Sequence, residues 1–451
     1  MKALTRIFVT VMQKYLPDAY LFAVLLTFLA VIAALIFTDK GPIDILNAWG
    51  NGLWGILGFA MQMILIVVTG HVMAISKPMK KLLDVIASIP KEPAQAGMIC
   101  ALVVGVCSWI NWGFGLIVAA LLAKEMARRV EGLDYGYAVA AGYGGFVIWH
   151  AGLSGSIPLA MATKGHIVEK LIAEKLPSVY PTGIVPTTDT IFASPNLIIS
   201  VVVILAVPVI FKFICPDPSE ARTVDPALLV DPEEPAEPVN KTLAQQLEYS
   251  RVISLVLGAM GVVFLVRYFY LNGIMNLSLN IVIFVFMWLG IILHGTPIAY
   301  VRAVNEAIKG AGGIAVQFPL YAGIQGILIG TGLAGIIAKW FIAISTDFTF
   351  PFFTFIAGGV INMFVPSGGG QWVVQGPINI PAGLALGVSP AKVAMSIAYG
   401  DQWTNMIQPF WALPLLGIAK LEAKDIMGYC AMVLIVTGVI MGAGLLFVPG
   451  W

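Results

Sequence analysis

Charge is scarce in this chain. Only 11% of its 451 residues are Asp, Glu, Lys or Arg, 59% are hydrophobic, and the formal net charge is +1. Soluble domains are about a quarter charged, so a soluble globular protein is excluded, and a mean hydropathy of +0.92 assigns the chain to a bilayer. It has no basic stripe or basic–aromatic patch, which sets nucleic acid aside as a partner. Cysteine is also sparse. Cys100, Cys107, Cys215 and Cys430 lie in or beside apolar runs without metal-ligand spacing, so neither a disulfide framework nor a metal site built on them is expected. The four histidines are scattered, with no His-x-x-x-His pair, nucleophile elbow or phosphate loop. The chain is therefore expected to be no enzyme and to carry no cofactor.

Long apolar runs fill the space that charge leaves. Runs near twenty residues, about the length that crosses 30 Å of hydrocarbon, cover 19–37, 53–76, 136–160, 190–212, 251–270, 277–294, 312–338, 392–416 and 426–448, nine expected crossings. Segments 96–130 and 350–388 are split by polar, Gly-rich sequence into halves read as too short to cross alone, so they are expected to be re-entrant hairpins. Residues 1–18, with Lys2, Arg6 and Lys14 beside Leu4, Ile7, Phe8, Val11 and Tyr15 at helical spacing, read as an interfacial helix and not as a signal peptide. Pro216 to Asn240 holds seven acidic residues, six prolines and Arg222 as its only base, so 213–250 reads as an aqueous linker.

The linker divides two halves that match each other at a nearly constant offset. At 255 residues, Pro42, Ile43, Ala48, Gly55, Gly58, Ala60, Gln62 and Leu65 match Pro297, Ile298, Ala303, Gly310, Gly313, Ala315, Gln317 and Leu320. At 256, Gly113, Ala138, Tyr143, Gly144, Pro158 and Leu159 match Gly369, Ala394, Tyr399, Gly400, Pro414 and Leu415. Each repeat, 19–212 and 277–448, then contains two crossings, a connector, a hairpin, a broken crossing and a final crossing. Four crossings are even, so the run 251–270 acts as one extra helix that turns the second copy over. The expected fold is an all-α polytopic membrane protein of two inverted-topology repeats, each with a re-entrant hairpin and a broken helix. With the N-terminus inside, the cytoplasmic segments collect Lys77, Lys80, Lys81, Lys91, Lys124, Arg128, Arg129, Arg251, Arg302, Lys309, Lys420 and Lys424. That bias predicts a cytoplasmic N-terminus and linker, an external C-terminus, and a first hairpin entered from the cytoplasm.

Backbone that breaks inside a membrane must find its hydrogen bonds in protein or in a water-filled cavity, so paired breaks point to a binding site. The first hairpin tip carries Asn111, Trp112, Gly113 and Gly115, and the second carries Ser367, Gly368, Gly369, Gly370 and Gln371. Glycine lets a ligand approach the backbone, and a helix resuming after the break presents free N–H groups and a positive dipole end suited to a carboxylate. Neither tip holds Lys or Arg. The broken crossings add Ser154, Ser156, Thr404, Asn405 and Gln408, whose oxygens suit a cation or substrate, or bond back to their own helices. Asp401, an intramembrane acid, is read as a proton carrier or cation ligand, with Asn111, Ser367 and Asn405 as further ion ligands. His150 is either a titrating or a structural histidine, and Trp112, Trp372 and Trp403 are either pocket or packing residues. The coupling ion is left open between H+ and Na+, and no metal site is certain.

Trp109-Ile-Asn-Trp-Gly-Phe-Gly115, Val365-Pro-Ser-Gly-Gly-Gly-Gln-Trp372, Gln375-Gly-Pro377, Ala398-Tyr-Gly-Asp-Gln-Trp403 and Gln408-Pro-Phe-Trp411 resemble the AtoE-type short-chain fatty acid transporter family, from Leu16-Pro-Asp18 almost to the C-terminus. The resemblance implies the ion transporter superfamily, a dimeric elevator carrier, and uptake of acetoacetate, butyrate or similar monocarboxylates across a bacterial inner membrane. It leaves His150 outside the family pattern, which has a small residue there, and keeps an acid at 401. An anion entering a negative interior works against about 2.3 kcal/mol per 100 mV, so accumulation requires a co-transported cation. The expected function is cation-coupled symport, with 96–160 and 350–416 moving against a static dimerising scaffold. A small-anion channel or a facilitative uniporter is the rival reading.

Overall fold

The computed structural model describes residues 19–451 apart from 218, 220, 225–228, 230–237, 239, 364 and 366. The expected interfacial helix at 1–18 and, within the acidic linker, residues 218, 220, 225–228, 230–237 and 239 lie outside the described residues. Among the described residues the regular structure is helical throughout. The first half runs α1 (Ala19–Phe37), α2 (Pro42–Gly52), α3 (Leu57–Ala74), α4 (Lys77–Ala87), α5 (Pro93–Ile110), α6 (Trp112–Arg129) and α7 (Tyr135–Gly145), then a 3-10 turn (Phe146–Ala151), α8 (Ser156–Met161), α9 (Glu169–Lys175) and α10 (Ser194–Phe213). After α11 (Leu243–Glu248) and α12 (Arg251–Asn272), the second half runs α13 (Leu279–His294), α14 (Pro297–Ala307), α15 (Gly312–Gly330), α16 (Leu333–Ile344), α17 (Phe350–Asn362), α18 (Gly368–Ala385) and α19 (Pro390–Thr404). It closes with a 3-10 turn (Asn405–Ile407), α20 (Pro409–Ala419) and α21 (Ala423–Phe447).

Local sequence sets these boundaries. Helices α2, α5, α14, α17, α19 and α20 carry Pro at their first or second position, where the missing N–H is no loss and the fixed φ suits a helix. Gly295 ends α13 in the left-handed region at φ 72°. Gly332, at φ 80°, separates α15 from α16, so the crossing expected over 312–338 stops at Gly330.

The chain is a multi-pass membrane protein. Six of its described helices are long and apolar enough to cross a bilayer, among them α3, α10, α12 and α21. Leu255, Val263 and Val266 of α12 are more than 60% exposed, as lipid-facing side chains are. Its inner face uses small residues for close approach: Gly258 and Gly261 receive Ile292 and Trp288 of α13, and Trp288 Nε1–H donates to Leu257 O at 2.9 Å. One sequence expectation is corrected here. Helix α5, half of the first hairpin segment, has 18 residues and meets the length and hydropathy of a span, so this half is not too short to cross. It spans about 27 Å at 1.5 Å per residue. The halves α5 and α6 do pack against each other, Gly115 lying so close to Ser108 that a Cβ would meet its Oγ.

Candidate functional site

The two Gly-rich breaks share one backbone geometry. Asn111 between α5 and α6 has φ −152° and ψ 122°, and Ser367 before α18 has φ −158° and ψ 115°. Both residues cap the helix that follows: Asn111 Oδ1 accepts from Phe114 N–H at 2.9 Å, and Ser367 Oγ accepts from Gly370 N–H at 3.3 Å. An N-cap satisfies only part of the first turn. In α6 the Trp112 N–H is taken by Ser154 Oγ at 2.9 Å. Gly113 of α6 and Gly368 and Gly369 of α18 instead line one cavity.

That cavity has a volume of about 400 Å³. Helices α3, α6, α8, α15, α18 and α20 all contribute to its wall, so residues as distant in sequence as Met63 and Pro414 meet there. The polar groups are the two helix starts, Ser156, Ser367, Gln317 and His71, while Met63, Val67, Leu116, Ile117, Ile314, Phe318 and Trp411 make the apolar surface. Trp112 and Trp411 meet edge to face with centroids 5.1 Å apart. His71 is the single ionisable side chain among the described lining residues. Such a cavity is suited to a small molecule with one anionic end and a short apolar body.

The glycines of the second tip are required by their neighbours. A Cβ on Gly368 would stand 2.5 Å from His150 Cε1 and 2.8 Å from Trp149 Cη2, one on Gly369 3.0 Å from Phe59, and one on Gly370 2.6 Å from Tyr321. The start of α18 is thus wedged between aromatic rings, and any side chain would push it out. Gly70 of α3 does the same for the first tip, since a Cβ there would stand 2.2 Å from Asn111 Oδ1.

Behind the cavity wall the two interrupted segments, α7 to α8 and α19 to α20, are bonded to each other. Trp149 Nε1–H donates to Asn405 Oδ1 at 2.8 Å, Tyr143 OH donates to Asn405 O at 2.8 Å, and the His150 and Ala151 N–H groups both donate to Gln402 Oε1, at 2.8 and 3.1 Å. Asn362 Nδ2 donates to Asp401 O and to Thr404 Oγ1, both at 2.9 Å, and Gln408 Nε2 donates to Asn362 O at 3.1 Å. Backbone freed by the 3-10 turns is satisfied in this way inside the protein. His150 and Asp401 are fully buried, with Nδ1 and Oδ2 2.7 Å apart. His150 Nε2 accepts from Ile157 N–H at 3.1 Å, and Asp401 Oδ1 is buried without a partner.

The expected site residues therefore divide. Trp112, Gly113, Ser156, Ser367, Gly368 and Gly369 line the cavity. Asn111 and Ser154 stand one layer back, bonding the α6 start, and Gly115 packs on Ser108. Gly370 packs on Tyr321, and Gln371 donates to Gly358 O at 2.8 Å and to Gln375 Oε1 at 2.7 Å. Thr404, Asn405, Gln408 and Asp401 belong to the bonded layer behind the wall. Trp403 is a packing residue, its Nε1–H donating to Leu434 O at 2.7 Å and its ring lying on Phe355. His71, Gln317, Phe318 and Trp411 line the cavity without having been expected there. A lone imidazole at position 71 inside the apolar run 53–76 was the available signal.

Among solved structures, the fold is similar to the YdaH transporter of Alcanivorax borkumensis, with TM-score 0.56 and 14% identity over 97% of each chain. It is also similar to MtrF of Neisseria gonorrhoeae, with TM-score 0.55 and 17% identity over 98% of this chain and 97% of that one. At these identities the likeness concerns fold alone. A curated protein of Haemophilus influenzae is 46% identical over 98% of this chain and 99% of its own length. One of Escherichia coli is 44% identical over 98% of each, and both carry the name "Putative short-chain fatty acid transporter". The family described as Short chain fatty acid transporter matches residues 1–448. With near-complete coverage and apolar helices throughout, the chain belongs to the short chain fatty acid transporter family and is a multi-pass membrane transporter, not an enzyme.

Proposed function

We propose that the protein carries short monocarboxylates of the acetoacetate and butyrate class across a bacterial inner membrane, coupled to a cation, by alternating access. One observation carries this reading: the starts of α6 and α18, from two hairpins 256 residues apart, face one largely apolar cavity of about 400 Å³ with no Lys or Arg in its wall. The carboxylate lies on the first-turn N–H groups near Gly113, Gly368 and Gly369, helped by Ser156 and Ser367, and the short chain lies on Trp112, Trp411 and Phe318. The charge balance requires the cation, because the carboxylate alone enters against the membrane voltage.

The two repeats are inverted relative to each other, with a cytoplasmic N-terminus and linker and a periplasmic C-terminus, as the Lys and Arg distribution supports. Residues 96–160 and 350–416 move as one elevator unit. The bonds between Trp149 and Asn405, Tyr143 and Asn405, and His150 and Gln402 support their moving together. Helices α1–α3 and α13–α16 form the scaffold of a homodimer. The test is exchange of labelled for unlabelled butyrate or acetoacetate by the purified protein in liposomes, with protein-free liposomes subtracted. Saturable exchange is expected, whereas flux that never saturates and shows no exchange makes the protein a channel.

A further inference from the structure

We infer that the coupling cation is a proton, taken up by the buried pair of His150 and Asp401, one for each carboxylate carried. The inference rests on the proposed carrier function and gives its coupling ion a chemical identity and a place. Three observations carry it. First, the tautomer of His150 is fixed: Nε2 accepts from Ile157 N–H at 3.1 Å, so the ring proton is on Nδ1, which donates to Asp401 Oδ2 at 2.7 Å. The proposed empty state pairs this neutral imidazole with an Asp401 anion that has a single side-chain donor and whose Oδ1 is buried without a partner.

Second, among the described residues the elements packed against α19 bring no other charged side chain to Asp401, and the other charged residue of α19 itself, Lys392, stands in its first turn, nine residues before Asp401. Helices α17, α18, α8 and α20 contain no Asp, Glu, Lys, Arg or His, and the 3-10 turn at 146–151 contributes only His150. Tyr399 on α19 gives its hydroxyl to Asn196, Tyr143 on α7 gives its own to Asn405, and α21 keeps its charged residues, Lys424 and Asp425, at its first turn with Tyr429 and Cys430 beyond them. A proton cancels the buried charge at a single oxygen. Na+ would instead need a shell of oxygens, for which Asn362 Oδ1 and Gln408 Oε1, buried without partners in the same layer, are the candidates, and the 22Na+ arm of the test below separates the two ions.

Third, the pair sits directly behind the cavity. Gly368 lines the cavity and lies so close to His150 that a Cβ would be 2.5 Å from Cε1 and 3.1 Å from Nε2. Ser156, the neighbour of Ile157, lines the same cavity. A proton arriving from the cavity binds Nε2 once Ile157 N–H lets go, and the Nδ1 proton passes to Asp401 Oδ2. One proton enters and none leaves. The loaded pair is a neutral acid hydrogen-bonded to a neutral imidazole of the opposite tautomer, and Ile157 N–H has lost its acceptor beside Ser156. A carboxylate in the cavity compensates that loss, so proton and substrate favour each other's binding.

The test uses the full-length protein in liposomes with a trapped pH dye, 22Na+ outside and labelled acetoacetate. The wild type is expected to take up one proton per acetoacetate, no 22Na+, and to reach the same final accumulation with or without an imposed membrane potential, since one proton and one carboxylate cross in each cycle and the cycle moves no net charge. Asp401→Asn is expected to lose proton co-uptake altogether and to exchange acetoacetate at a rate that no longer varies with pH. Asp401→Glu keeps an acid and is expected to retain proton co-uptake, which separates loss of coupling from loss of folding. Stoichiometric 22Na+ entry, or proton co-uptake that survives in Asp401→Asn, overturns the inference and leaves the carrier reading intact. Absence of any saturable exchange by the wild type overturns the carrier reading, and the inference with it.

Discussion

Gly368→Ala probes the closest contact in the site. The added Cβ would stand 2.5 Å from His150 Cε1 and 2.8 Å from Trp149 Cη2, whereas carbon atoms rest at about 3.5–4.0 Å. One side must therefore move by about 1 Å. The rings cannot yield easily: His150 is held by Asp401 at 2.7 Å and Ile157 at 3.1 Å, it stacks on Trp149 with centroids 4.1 Å apart, and Trp149 is tied to Asn405 at 2.8 Å. The start of α18 must withdraw instead, taking its N–H groups away from the cavity. Overpacking a well-filled interior costs about 1–3 kcal/mol. Borne by the α18 start in the position described, that cost lowers the occupancy of this position by about 5- to 150-fold at 1.4 kcal/mol per tenfold. The assay is initial-rate exchange of labelled butyrate in liposomes, normalised to monodisperse protein. Gly417→Ala is the control, because a Cβ there meets nothing within 4 Å and alanine favours the helix. If Gly368→Ala exchanges within about two-fold of the wild type, a cost of 1 kcal/mol or more at this tip is ruled out.

Three further expectations follow from the same geometry. Asn111→Ala removes the cap on Phe114 N–H and should lower the stability of the folded protein by about 1 kcal/mol, read as a lower unfolding midpoint together with slower butyrate exchange. Trp149→Phe leaves the buried Asn405 Oδ1 without its donor, a loss of about 1–3 kcal/mol that should be visible in thermal unfolding. Val67 and Gly113 face each other, a Cβ on Gly113 falling 3.2 Å from Val67 Cα. A disulfide between Val67→Cys and Gly113→Cys should stop exchange until it is reduced, and exchange that persists while it is closed contradicts relative movement of α3 and α6.

Much of the fold was legible because a membrane imposes strong rules on composition. The apolar runs 53–76, 190–212, 251–270 and 426–448 coincide with α3, α10, α12 and α21, each long and apolar enough to cross, and proline at helix starts with glycine at helix ends fixed several boundaries, as at Pro297 and Gly295. The length of α5 was misjudged because the polar residues around Asn111 end a helix that is itself of full span. The tips were legible for a physical reason: a broken membrane helix must present a cap and unoccupied N–H groups, and Asn111 and Ser367 supply the caps. The wall facing them was not legible. Phe318, Gln317 and Trp411 look like ordinary packing residues in sequence, and only the folded chain brings α15 and α20 to the tips. Thr404, Asn405 and Gln408 turned inward because polar side chains beside a break are needed first to satisfy it, and a sequence does not reveal which way they point.

The central claim, that a short carboxylate lies on the two helix starts, is tested most directly by substrate protection. Ser367→Cys and Ser156→Cys, made separately after replacing the four natural cysteines, place a thiol in the cavity wall. Butyrate at ten times its dissociation constant should slow maleimide labelling at both positions by about eleven-fold, and butyramide, which lacks the charge, should not. Labelling at an unchanged rate, at butyrate concentrations that saturate exchange, would contradict the account.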